Sequence, residues 1–151
     1  MRRKVVKILR YTYNNMAESV SSMLERVSRE LLNRCSPDIR GIIISRDDGL
    51  LIHTSIAYEI QASPHTIAAM FSAFMGPSRR VYRSLMNSRL EEAILSGSEG
   101  KLIVRSIPLD DIPGGRRIYV GILTSKNPNI GLILLELDRY IEAVRKILVR
   151  R

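Results

Sequence analysis

The stretch from Gly41 to His53, GIIISRDDGLLIH, constrains the fold more than any other part of this chain, because an apolar run, a short polar turn and a second apolar run follow one another directly. Two such runs around an Asp-Gly pair predict a β-hairpin, with strands near Ile39 to Arg46 and Leu50 to Thr54. Asp48 and Gly49 can take the positive φ values of a two-residue type I′ turn, so that connection is expected here. The first strand is apolar at Ile42, Ile43 and Ile44 rather than alternating. A strand of that kind lies in a sheet covered on both sides.

The cover must come from helices, and three patterns supply it. Tyr13, Ala17, Val20, Leu24, Val27 and Leu31 recur at spacings of four and three, which marks one helical face ending near Arg34, before Ser36-Pro37-Asp38. A second helix follows Ser63-Pro64, with Ile67, Phe71, Phe74, Ser78, Val81 or Tyr82, and Leu85 along one side. Gly76-Pro77 falls inside it, and a proline there predicts a kink or a break into two shorter helices. Strands are expected at Leu90 to Leu95, Lys101 to Ile107 and Arg117 to Thr124. The last helix carries Ile130, Leu134, Leu137, Ile141, Val144 and Leu148 on one face. The order αββαβββα predicts an α+β fold, a five-stranded antiparallel sheet with helices on both faces.

A chain of 151 residues is long enough to bury a core as one domain. We assign residues 1–12 to a basic N-terminal extension and residues 13–151 to a single domain. No run of 18 or more apolar residues occurs, and nothing resembles a signal peptide, so a soluble cytoplasmic protein is expected. Arginines far outnumber lysines and Gln61 is the only glutamine, habits compatible with a heat-adapted source. The lone Cys35 has no partner for a disulfide and reads as a small residue at a helix end.

The net charge of +9 is concentrated at the two ends. Arg2, Arg3, Lys4, Lys7 and Arg10 precede the first acid, and Arg145, Lys146, Arg150 and Arg151 close the chain. If residues 2–10 are helical, Arg3, Lys7 and Arg10 lie opposite an apolar side and are candidates for docking on an anionic membrane or a partner. The alternative is that they extend the first helix. Few aromatic residues accompany these charges, so the stacking platforms of a single-strand nucleic-acid binder are missing and the chain does not read as one.

Catalytic chemistry has little to stand on. His53 and His65 are the only histidines, and neither has the neighbours of a zinc site or a catalytic triad. Asp47-Asp48 and Asp110-Asp111 are explained by turn and loop preference, and Ser96 to Gly100 lacks the pattern of a phosphate-binding loop. No catalytic residue, metal or cofactor is expected. Arg79, Arg80 and Arg83 stand three and four residues apart on the second helix and can form one basic patch, with Arg89 beyond its end.

The hairpin and the later segment Asn127-Pro128-Asn129-Ile130-Gly131-Leu132, which leads into the last helix, occur in an order that resembles the roadblock/dynein light chain family over about residues 16 to 148. That family comprises small dimeric modules that regulate Ras-like GTPases. The resemblance implies a profilin-like or longin-like fold and a non-enzymatic homodimer that binds a small Ras-like GTPase and biases its nucleotide state. It implies that the central helices of two protomers lie side by side as a platform, with Arg79, Arg80 and Arg83 as candidates to meet the GTPase. It also implies that the third strand pairs with its symmetry mate. Phe71, Phe74, Leu85, Leu90 and Ile94 are then the candidate dimer contacts. The alternative function is a scaffold or adaptor held to a membrane or larger assembly through the basic N-terminal segment.

Overall fold

The computed structural model describes residues 20–112 and 114–149. Within them the chain forms helix α1 (residues 20–34), strands β1 (Ile39–Arg46) and β2 (Leu51–Ile56), helix α2 (Pro64–Met86), strands β3 (Glu92–Gly97), β4 (Gly100–Pro108) and β5 (Arg117–Thr124), and helix α3 (Ile130–Val149). The five strands make one antiparallel sheet in the order β2-β1-β5-β4-β3. The expected architecture is the observed one, while the candidate docking residues Arg3, Lys7 and Arg10, with the whole extension 1–12, lie outside the described residues.

The triple isoleucine explains the layering. Ile42 and Ile44 join a core shared with α1 and α3, through Leu24 and Leu31 on one helix and Ile133, Leu137 and Val144 on the other. Ile43, one residue out of phase, points to the opposite face and packs with Ile67, Ala68, Phe71 and Met75 of α2. Successive strand residues alternate faces, so a strand buried on both sides is apolar at every position.

The hairpin turn differs from the expected type I′ form. Among the described non-glycine residues only Asn87 has a positive φ, so Asp48 does not adopt one, while Gly49 does at 93°. The Gly49 amide donates to the Arg46 carbonyl at 3.1 Å, the Arg46 amide donates to the Leu50 carbonyl at 2.8 Å, and the β1–β2 register shifts beside Ser45. That is a three-residue connection ending in a left-handed glycine, a form that twists the strands as well as the shorter turn does. β2 accordingly starts at Leu51. β3 is likewise displaced toward the C terminus of its expected span, because the residues after α2 first carry the chain around the helix end.

A second difference concerns Pro77. α2 runs unbroken through it for 23 residues. Proline has no N–H to offer the carbonyl of Ala73, but both residues are exposed, so the freed carbonyl faces water rather than the core. The next residue, Ser78, donates its hydroxyl to the Phe74 carbonyl at 2.7 Å.

Both long helices have defined starts. Ser63 Oγ accepts from the Thr66 amide ahead of Pro64 at the first turn of α2, a favoured N-terminal arrangement. Asn129 Oδ1 accepts from the Leu132 amide at the start of α3, and the Asn129 amide donates to Asp38 Oδ2 at 2.8 Å. The Asn-Pro-Asn segment thus caps α3 and ties it to the entry of β1.

Candidate functional site

α2 is buried along only half of its surface. Its inner residues Ile67, Ala68, Phe71 and Met75 meet the sheet, whereas Met70, Val81, Leu85 and Met86 face outward, with Leu85 76% exposed and Val81 58% exposed. Beyond the helix lies β3, the edge strand next to β4, where Ile94 and Leu95 are also exposed. Scattered apolar residues are ordinary on a protein surface, but a stripe on a helix beside an uncovered strand edge is a surface suited to a partner.

The glycine in the middle of β5 decides how close α2 lies. A Cβ on Gly121 would stand 2.1 Å from Cζ of Phe71, so the ring occupies the space that any other residue would fill. Phe71, a candidate dimer contact in the sequence, is therefore a core residue of the protomer, 1% exposed. Phe74 and Leu90 are half-buried against the same core. Leu85 and Ile94 remain open.

The C-terminal half of α2 forms one wall of a groove of about 710 Å³. Arg79, Arg80 and Arg83, which their spacing places on one basic patch, all line it. Arg89 follows them, after Asn87 has closed the helix in the left-handed region with its amide donating to the Arg83 carbonyl. The opposite wall is the β4–β5 loop with the start of β5, which contribute Arg116 and Arg117, and Arg145 of α3 completes the lining. Sequence reasoning did not group these last three with α2, since they are 33 or more positions away from Arg83.

Asp110 organises the loop. Its carboxylate accepts from the Ile112 amide at 3.2 Å and the Arg116 amide at 3.4 Å, and the Gly115 amide donates to the Ile112 carbonyl at 2.8 Å. A Cβ on Gly115 would lie 1.8 Å from Asp110 Oδ1, which explains the glycine. From the sequence alone Asp110 is an ordinary loop acid. Its place two residues before one amide donor and six before the other is the signal that the loop folds back on it.

The groove is strongly positive. Burial, followed by the nearby charges of Arg79 and Arg89, pushes the Arg117 guanidinium below its ordinary value, and its Nη1 donates to Ser106 Oγ at 2.9 Å. By contrast, Arg105 on the same sheet is held above its ordinary value: burial opposes that, but Asp138 and Glu92 both accept from it. It fastens β3 and α3 to β4 and is not available to a ligand.

Among the described residues His53 and Cys35 are engaged in structural contacts. Ser55 Oγ donates to Glu25 Oε2 at 2.9 Å, and the same His53 nitrogen, Nε2, lies 3.0 Å from Ser55 Oγ and 3.1 Å from Glu25 Oε2. A relay needs the acid on one ring nitrogen and the hydroxyl on the other, so this contact fixes α1 to β2 and does not activate the serine. Burial pushes the Cys35 thiol up, as do the carboxylates of Glu136 and Asp38, which leaves it a weak nucleophile. Among the described residues no group of three or more His, Cys, Asp or Glu side chains could hold a metal ion, and no helix is long and apolar enough to cross a membrane.

Several solved structures share this architecture, three of them as follows. The gliding protein MglB of Thermus thermophilus superposes with a TM-score of 0.72 at 15% identity, over 85% of this chain and 90% of that one. MglB of Myxococcus xanthus does so with a TM-score of 0.69 at 10% identity, over 88% and 97%. A Roadblock/LC7 domain from Streptomyces avermitilis gives 0.67 at 15% identity, over 81% and 94%. At such identities the likeness is one of fold. Among curated proteins no sequence matches this chain significantly. The Roadblock/LC7 domain family model matches residues 17–107, from the first helix through β4, and the chain belongs to that family.

Proposed function

We propose that the protein is a non-enzymatic homodimeric regulator that binds a small Ras-like GTPase in the cytoplasm and favours one of its nucleotide states. The observation that carries this reading is the open half of α2, where Val81, Leu85 and Met86 lie bare beside the uncovered strand β3. Pairing of β3 with its symmetry mate satisfies the free backbone groups of the edge, and apposition of two α2 helices covers the apolar stripe. Arg79, Arg80 and Arg83 then border a composite surface and steer an acidic GTPase onto it.

The mechanism is differential affinity. A dimer that binds one nucleotide state of the GTPase more tightly shifts the population toward that state by the ratio of the two affinities, with no bond made or broken. The test mixes the purified protein with the Ras-like GTPases of its own genome, each loaded with GDP or a non-hydrolysable GTP analogue, and measures complex mass by light scattering. A dimer that forms a complex in one nucleotide state supports the proposal. A folded protein that stays monomeric at micromolar concentration, or a dimer that ignores every GTPase in both states, removes it.

A further inference from the structure

The arginine groove has a chemistry that a protein platform alone does not require. Seven arginines from α2, the following loop, the β4–β5 loop, the start of β5 and α3 line it against only two aspartates, Asp110 and Asp111, and no lysine takes part. Asp110 is already engaged by two backbone amides of its own loop. Elsewhere on the described surface several arginines are paired, Arg29 with Glu25, Arg46 with Asp48, and Arg105 with Glu92 and Asp138, while Arg26 and Arg40 stand singly on separate elements. Among the described residues Arg79, Arg83, Arg89 and Arg145 make no ion pair. Like charges gathered in a concavity repel one another and raise the local potential, which is unfavourable unless an anion occupies the site.

The geometry points to a binding site for a compact ligand carrying two or more phosphates. Guanidinium is the cation whose planar fork matches phosphate oxygens in pairs, and an all-arginine lining selects for that match over a point charge. A volume of about 710 Å³ lies inside the range of small-molecule sites, roughly 300–1,000 Å³. The formal surplus of five positive charges exceeds what one phosphate neutralises and suits a di- or triphosphate group. Three regions distant in sequence, residues 79–89, residues 116–117 and Arg145, supply the donors, so the site exists only in the folded protomer. The inference stands apart from the GTPase reading, although a ligand here neutralises Arg79, Arg80 and Arg83 and so competes with partner docking.

The test is calorimetric titration of the isolated protein with tripolyphosphate and with a nucleoside triphosphate. In parallel, flotation uses phosphatidylcholine vesicles carrying phosphatidylinositol bisphosphate or, as a plain anionic surface, phosphatidylglycerol. Arg83→Ala, Arg89→Ala and Arg145→Ala sample three walls at exposed positions that tolerate truncation, and Arg26→Ala, exposed on α1, removes the same charge elsewhere. Saturable one-to-one binding that weakens about tenfold or more with each groove variant but not with Arg26→Ala is the expected result. Free phosphates binding alone assigns a soluble ligand, and groove-dependent flotation on the phosphoinositide alone assigns a lipid headgroup. Binding that is absent, or that falls equally with Arg26→Ala, overturns the inference. Groove variants that lose only GTPase docking and retain phosphate binding unchanged overturn it too, while leaving the regulatory reading intact.

Discussion

The two faces of the sheet are built from the same kinds of residue to opposite ends. On one face α1 and α3 close completely over Ile42, Ile44, Val120 and Ile122. On the other, α2 seals its N-terminal half over Ile43 and Tyr119 and then runs on with Val81, Leu85 and Met86 in solvent and its arginines along a groove. A helix needs only part of its surface to be anchored, so the rest is free to carry recognition. The closed face holds the fold, and the half-open face is where a partner or ligand can act.

The largest expected effect lies on the closed face. Leu137→Ala removes a fully buried side chain between α3 and the sheet and should destabilise the protein by about 3–4 kcal/mol in urea denaturation. On the half-open face, Gly121→Ala forces Phe71 out of its place and should cost about 2–3 kcal/mol. The double variant Gly121→Ala/Phe71→Ala should fall well short of the sum of its single changes, because the added methyl enters the space the ring has left. Strict additivity in that cycle would mean that the two residues do not govern the seating of α2.

Tyr140 and Ser28 share a buried hydrogen bond of 2.7 Å that joins α3 to α1, and burial raises the Tyr140 phenol above its ordinary value. Tyr140→Phe leaves the Ser28 hydroxyl without that partner and should cost about 1–2 kcal/mol. The closed face also has a pH signature. Burial pushes His53 below 6.5, although Glu25 beside it pulls the other way. Since the folded protein binds this proton less readily than the unfolded chain, the stability present above pH 6.5 is lost as pH falls through the lowered folded value. His53→Gln should flatten the pH dependence of the melting temperature in that window. At lower pH Glu25 contributes a second loss: burial alone would raise it, but hydrogen bonds from Arg29 and Ser55 hold it below 4.5.

The smallest effect on the protomer is expected at the exposed stripe. Leu85→Asp should change unfolding free energy by less than about 0.5 kcal/mol when measured at a concentration where the protein is monomeric. The same change should abolish self-association in sedimentation velocity. If it unfolds the protomer instead, the outer face of α2 belongs to the core, and the contrast between the two faces disappears.

Most of the element order was legible because it rests on local periodicity. The four-three spacing of α1 and α3, the unbroken apolar run of β1 and the Asp-Gly turn each carry their own evidence within a dozen residues. What misled was equally local. Asp48-Gly49 suits several turns, and which one forms depends on how β2 registers against β1. Pro77 does not break α2, where the Ala73 residue whose carbonyl it leaves unpaired is exposed, and exposure is a tertiary property. Phe71 looked as free to meet a partner as Leu85 until Gly121, 50 residues later, placed one under the helix and left the other outside.

By itself the sequence determined the αββαβββα order, the two-sided sheet and the three clustered arginines of α2, since each follows from spacing along the chain. Only the tertiary structure decided which half of α2 is buried and that Arg116, Arg117 and Arg145 join those arginines around one groove. The reason is physical. Periodicity reports which side of an element is apolar, whereas burial and electrostatic convergence depend on what another part of the chain brings against it.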